Sequence, residues 1–284
     1  MLLQGLFVGF AEGWIYVLVA LGLALCFSIM RILQFAHGEI YMLGAYVVAY
    51  LLFGTHVNYF AALIISGLTL GVLGIILERI MFRRLRGNME PALLAAIGLT
   101  LIFQTMGAIL FTSYTKYIPV PDIFSGVLVL GAVRMPWIRL AIGIIGLVLV
   151  LILILVIRLT KTGRAMVAIS QNVEAAELQG INVNPISAIT LGIGSALAAI
   201  AGGLMGTMLP LSPYMGTFAI TKAIGVIIIA GIGSIPGVIV GGLILGLVDG
   251  VVPLYIDPTI ADIIGFGIVI LILLIKPEGL FGHE

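Results

Sequence analysis

Long apolar stretches separated by short polar ones dominate this sequence. They run near residues 6–28, 38–54, 59–78, 92–113, 139–157 and 187–209, then over 222–252 with a break at "GIGSIPG" (231–237), and lastly over 259–275. They lack the alternating period of a membrane barrel strand. Most have the roughly 20 residues that a helix rising about 1.5 Å per residue needs to cross a hydrocarbon layer of about 30 Å. The pattern predicts an all-α, polytopic bundle of transmembrane helices with about eight membrane segments, including one broken or hairpin region. The whole chain, 1–284, reads as one transmembrane domain.

Basic residues orient the bundle. Arg79, Arg83, Arg84 and Arg86 follow the third span, Arg158, Lys161 and Arg164 the fifth, and Lys276 the last. Short loops rich in Lys and Arg stay cytoplasmic. Placing these inside also brings Arg31 inside and leaves Lys116, Arg134, Arg139 and Lys222 outside. The N-terminus is then outside and the C-terminus cytoplasmic. By parity, 222–252 must enter and return. Its first part, 222–234, is short for a crossing, Ser234 can cap a new helix, and Pro236 suits a first turn. A helical hairpin with its turn at or below mid-membrane is expected. Small-xxx-small pairs such as Gly237/Gly241 and Gly242/Gly246/Gly250 suit close helix packing.

Composition agrees with membrane residence: 62% of the residues are hydrophobic and 9% charged, where a soluble domain has about 25% charged. The net charge of +1 says nothing about nucleic acid, but no basic tract is dense enough for a nucleic-acid face. The lone Cys26 makes neither an internal disulfide nor a CxxC metal site. The first 30 residues lack a basic n-region and a clear cleavage site, so they read as a retained span. His37, His56 and His283 are scattered, HExxH is absent, and no catalytic constellation or metal site is expected.

One segment fits neither a span nor a core helix. "NVEAAELQGINVNP" (172–185) is polar and helix-forming, within a cytoplasmic loop of about 28 residues, 158–186, long enough to carry structure of its own. Residues 164–179 favour one short helix, Gly180 suits its C′ position, and Pro185 bars smooth continuation. The helix presents small alanines with Glu174 and Glu177 in water, the makings of a plug for a groove on another protein. The alternative, an interfacial helix lying on the membrane, is weakened by the acidic pair.

"EAAELQG" (174–180) has the EAA-x-x-x-G pattern of the coupling loop of ABC importer permeases. With "ILQFAHGEIYMLGAY" (32–46), "GIGSIPGVIVGGLILG" (231–246) and "KPEGLFG" (276–282), in this order, the chain resembles the shorter permease subunit of branched-chain amino acid (Liv-type) ABC transporters over its whole length. The resemblance implies alternating access driven by separate cytoplasmic ABC ATPase subunits, a second permease subunit (a distinct longer one, giving a heterodimer), an extracytoplasmic solute-binding protein, and a prokaryotic inner membrane. It implies branched-chain amino acids as solute, with urea or amides carried by other relatives. Glu174, Ala175, Ala176 and Gly180 would contact the ATPase. The chain has no GxxxxGK[ST] loop, so ATP hydrolysis is left to a partner; no enzymatic activity and no cofactor of its own are expected.

Candidate gate or path residues are polar groups within the apolar spans. Gln34, His37 and Glu39 lie with Arg31 in a polar break that is either a gate or a structured turn. Thr100 and Gln104, four apart on one face, either touch a solute or bond a neighbouring helix. Ser234 and Gly237 mark the second break; with 34–38 it offers helix ends to a solute zwitterion. Asp249, Asp257 and Asp262 near the outer ends are caps or binding-protein contacts. The outer loop 114–138 is the first choice for binding-protein contact. A stand-alone secondary transporter or channel would explain the broken helices but not the EAA helix.

Overall fold

The computed structural model describes residues 2–55, 57–111, 117–130, 133–231 and 233–282. His56, Lys116, His283 and the start of the 114–138 loop lie outside the described residues. The elements are α1 (Leu2–Met30), α2 (His37–Thr55), α3 (Tyr59–Leu77) running through a π turn (Glu78–Phe82) into α4 (Arg83–Leu85), and α5 (Met89–Phe111). A hairpin of β1 (Val127–Leu130) and β2 (Val133–Pro136) leads into α6 (Trp137–Leu159). Then come α7 (Lys161–Gln171), α8 (Val173–Leu178), α9 (Val183–Met205), α10 (Met215–Ala230), α11 (Ile235–Val251) and α12 (Pro258–Ile275).

Eight of these helices are long and apolar enough to cross a membrane, with α10 a shorter apolar ninth. A small antiparallel β hairpin adds to the expected all-helical bundle.

α1 is the centre. It is apolar apart chiefly from Gln4 and Glu12, and about four fifths of its most apolar 18 residues are buried, as a helix hydrophobic nearly all round requires. It packs against α11, α9, α6 and α10, while α9 in turn packs on α3 and α2. The α1–α11 seam is made by glycines: a Cβ on Gly9 would sit 2.6 Å from the Gly246 carbonyl oxygen. Backbones meet directly there, the means by which helices associate in lipid. α5 and α12 are peripheral, with about a fifth of their apolar windows buried.

Helix starts follow the sequence. Asn58 accepts from the Phe60 amide at 2.9 Å, and the Ser234 hydroxyl from Gly237 at 3.1 Å, with Pro236 in the first turn of α11. The termini fall on opposite faces. Gly5 meets Gly250 and Leu254 at the β-hairpin end. Leu280 and Phe281 donate backbone bonds to Ile229 and Ala230 at the α7–α8 end.

α10 and α11 do enter and return, but α10 begins at Met215, well before the expected residue 222. Gly233 and Ser234, at the turn into α11, border a cavity with Arg31, Arg158 and Phe281, so the turn lies at the α7–α8 end of the bundle. The seven residues of α10 before Lys222 supply the missing length.

Candidate functional site

At the α7–α8 end the expected single helix is two. Thr160 caps α7, its hydroxyl accepting from Gly163 at 2.9 Å. Asn172 leaves helical geometry (φ −156°, ψ 112°) and caps α8, its side chain accepting from the Ala175 amide at 3.0 Å. An asparagine that can bond the amide three residues on competes with helix continuation, which is why the segment breaks there. Gly180 ends α8 at φ +80°. Its amide donates to Glu177 and that of Ile181 to Ala176, at 2.9 and 3.1 Å, the paired bonds of a Schellman turn.

The α8 side chains divide sharply. Glu174, Ala175 and Glu177 are exposed, and Leu178 is 87% exposed. Ala176 is 4% exposed and joins a cluster with Phe82, Met166, Ile169 and Val183. It is a packing residue of this chain, which corrects its expected place on an outward face. α8 is thus a short knob riveted to the bundle by Ala176, carrying two carboxylates and an unpartnered leucine outward. Leu178 was overlooked in the sequence because an isolated leucine in an apolar chain carries no signal.

The polar break at 31–39 turns back into the bundle. Arg31 adopts φ +55°, and residues 31–36 are irregular. The His37 ring then lies against Gly22, where an added Cβ would stand 2.8 Å from Nε2. Gly22 precedes the end of α1 by about 12 Å of helical rise, so α2 starts within the bundle. Gln34, His37 and Glu39 are all buried, at 2%, 0% and 1% exposure. Gln34 faces a packed wall of Cys26, Ile32 and Phe82. His37 has the Val19 carbonyl nearby, but neither ring nitrogen completes a hydrogen bond.

The first amides of α2 do not face a ligand. His37, Gly38 and Glu39 donate to the carbonyls of Gln34, Phe35 and Ala36. The break at 34–38 therefore offers no open helix end to a zwitterion.

Glu39 and Gln104 come together. Gln104 Nε2 of α5 donates to Glu39 Oε1 at 2.9 Å and to Thr217 Oγ1 of α10 at 3.0 Å. α10 begins beside this point: a Cβ on Gly216 would lie 2.9 Å from the Glu39 carboxyl carbon. Glu39 Oε2 is buried without a partner. Thr217 is exposed, as is Thr221 one turn further along α10. Thr100 stays apart, its hydroxyl returned to the Ala96 carbonyl at 3.0 Å. Ser234 and Gly237 are also apart, since they form the α10–α11 turn at the α7–α8 end.

Lys222 was expected in an outer loop. It lies 2% exposed within α10, with Nζ 2.7 Å from Asp249 Oδ2 and 2.8 Å from Asp262 Oδ1. The Tyr16 hydroxyl donates to Asp249 at 2.7 Å. One ammonium thus ties α10 to α11 and α12, so neither aspartate is a simple solvated cap. Asp257 is a cap: its Oδ1 accepts from the Thr259 amide at 2.8 Å, and its bonds with Thr259 hold the carboxyl below the usual range. Among the described residues no group of three or more His, Cys, Asp or Glu could hold a metal.

The family described as "Branched-chain amino acid transport system / permease component" matches residues 5–274. The high-affinity branched-chain amino acid transport system permease protein LivH of Salmonella typhimurium is 32% identical, over 99% of this chain and 96% of its own. The corresponding BraD of Pseudomonas aeruginosa is also 32% identical, with the same coverage. Among solved structures, PsaBC from Streptococcus pneumoniae in complex with Fab matches at a TM-score of 0.54 and 17% identity, over 97% of this chain and 92% of that one, a likeness of fold. The chain belongs to the branched-chain amino acid transport system permease family.

Proposed function

We propose that the chain is one of two permease subunits of an ATP-driven importer for branched-chain amino acids. Its end-to-end similarity to LivH and BraD supports the solute class. The basic residues gathered at the α7–α8 end support a cytoplasmic position for that face, with the N-terminus outside and the C-terminus inside. The β-hairpin end then meets the solute-binding protein.

The observation that carries the proposal is α8. Its exposed Glu174, Ala175, Glu177 and Leu178 form a rigid projection that an ATPase groove can grip. The carboxylates suit charge-assisted bonds from basic groups. The solute path runs over the face bearing Gln104, Thr217 and Thr221. Polar groups exposed at membrane depth need a protein or water neighbour, and the peripheral α5 beside them leaves room for the second permease subunit. Glu39 Oε2, free behind Gln104, suits a solute ammonium.

The test is co-purification of the ATPase with wild type, Glu174→Lys and Leu178→Asp, alongside leucine uptake into proteoliposomes. Both substitutions should release the ATPase at unchanged melting temperature and abolish ATP-dependent uptake. Uptake that proceeds without ATP, or an ATPase that stays bound to both variants, refutes the reading.

A further inference from the structure

α6 and α11 both pack along α1 but hardly touch each other. The cleft between them, with α1 as floor, holds a cavity of about 740 Å³ at the α7–α8 end. Its polar lining includes Arg31, Arg158, Ser170 and Ser234, with no carboxylate among its described lining residues. Among the described residues the Arg31 guanidinium makes a single hydrogen bond, a long one of 3.4 Å, to the Ser170 carbonyl. The Arg158 side chain makes no hydrogen bond or ion pair among the described residues. Two guanidiniums sharing a cavity without an acid leave a positive site uncompensated. Away from them the walls become apolar, with Ile154 on α6 and Ile239 on α11. Toward the other end of α1, between the same three helices, a second cavity of about 500 Å³ is lined by side chains such as Phe7, Phe10 and Ile144.

We propose that this cleft is a binding site for a phosphate-bearing anionic lipid. Arg31 and Arg158 hold the headgroup, and the groove along α1 takes an acyl chain. Guanidinium forks match phosphate oxygens in pairs, and basic pockets between transmembrane helices are suited to such headgroups. The apolar continuation of the groove favours a lipid over free phosphate. The site is separate from the Glu39–Gln104–Thr217 face and from the exposed face of α8, so it stands whatever solute is carried.

The test uses the full chain, delipidated in mild detergent. It is incubated with phosphatidylglycerol, phosphatidylcholine or inorganic phosphate, and retained lipid is counted by native mass spectrometry. Phosphatidylglycerol should be retained at least fivefold over phosphatidylcholine. Arg31→Gln with Arg158→Gln should remove the difference. Arg158→Lys should keep most of it, and Arg84→Gln, an exposed arginine at the same end, should keep all of it. Equal retention of the two lipids, or phosphatidylglycerol retention indifferent to the double substitution, overturns the proposal. So does thermal protection by inorganic phosphate, with the same arginine dependence, when no lipid is retained, because the site would then take a free anion. If the double variant does not fold, Arg158→Gln against Arg158→Lys decides.

Discussion

Gln104 donates through one nitrogen to both Glu39 and Thr217, at 2.9 and 3.0 Å. Three helices, α2, α5 and α10, are clipped together by that amide. The rest of the hold on α5 is a narrow edge: Ala92, Ala96, Phe103 and Gly107 are buried, its last residue, Phe111, stacks on Tyr46 of α2 at 4.2 Å, and most of its surface faces outward. The polar contact adds to that edge.

Gln104→Leu keeps the volume and removes both bonds. Leucine uptake by the assembled transporter should fall at least tenfold, and backbone amides along α5 should exchange hydrogen faster. Unchanged uptake would remove Gln104 from the path.

Lys222→Met should destabilise the chain by about 3–5 kcal/mol, because it leaves buried Asp249 without its cation. Adding Asp249→Asn and Asp262→Asn should restore most of the loss, measured as melting temperature in detergent. Asp262→Asn alone should cost about 1 kcal/mol or less, since its side chain is 47% exposed.

Glu78 is wholly buried and accepts from Arg83 at 2.9 Å and Arg86 at 2.6 Å. Arg86 also donates to Asn184 at the start of α9, at 3.0 Å. Glu78→Ala should cost about 1–3 kcal/mol by taking the shared acceptor from two partly buried arginines. Cysteines placed on α4 and at the start of α9 should then cross-link less efficiently. An intact cross-link would mean that packing alone holds these ends together.

Gly9→Ala should lower the melting temperature by at least 5 °C, because the new methyl group would press on the Gly246 carbonyl. Gly98→Ala is the control: nothing lies within 4 Å of its added carbon. Equal melting temperatures would show that α1 and α11 can separate at little cost.

Gly180→Ala has space but the wrong backbone, with φ at +80°. It should cost about 1 kcal/mol locally. The end of α8 should fray, and ATPase affinity should weaken about fivefold, that energy expressed as an equilibrium constant. Bundle melting should not change.

The spans were legible because twenty apolar residues in a row have few other uses. Ser234, Pro236 and Gly180 were legible because caps and left-handed turns favour few residue types. Asn172 was not, since an asparagine among helix formers reads as a tolerated guest until its side chain is seen bonding Ala175. Lys222 was missed for a related reason: a charge near a predicted span end defaults to the loop, and only tertiary structure brings it to Asp249 and Asp262. The inward fold of residues 31–36 leaves no local signature, because their polarity suits a surface turn equally well. Glu39 and Gln104 were each noticed, but 65 residues apart nothing in the pattern joined them.

The glycine seam between α1 and α11 also sets an order of events. α1 has as its main partner a helix more than 200 residues later in the chain. Until α11 is inserted, the most buried helix of the finished bundle must wait in lipid with its glycines facing acyl chains. The centre of the bundle is therefore completed only once α11 has been made. A chain truncated before α11 should be a membrane-inserted but unlocked set of helices, open to quality-control proteases although every span it contains is correctly placed.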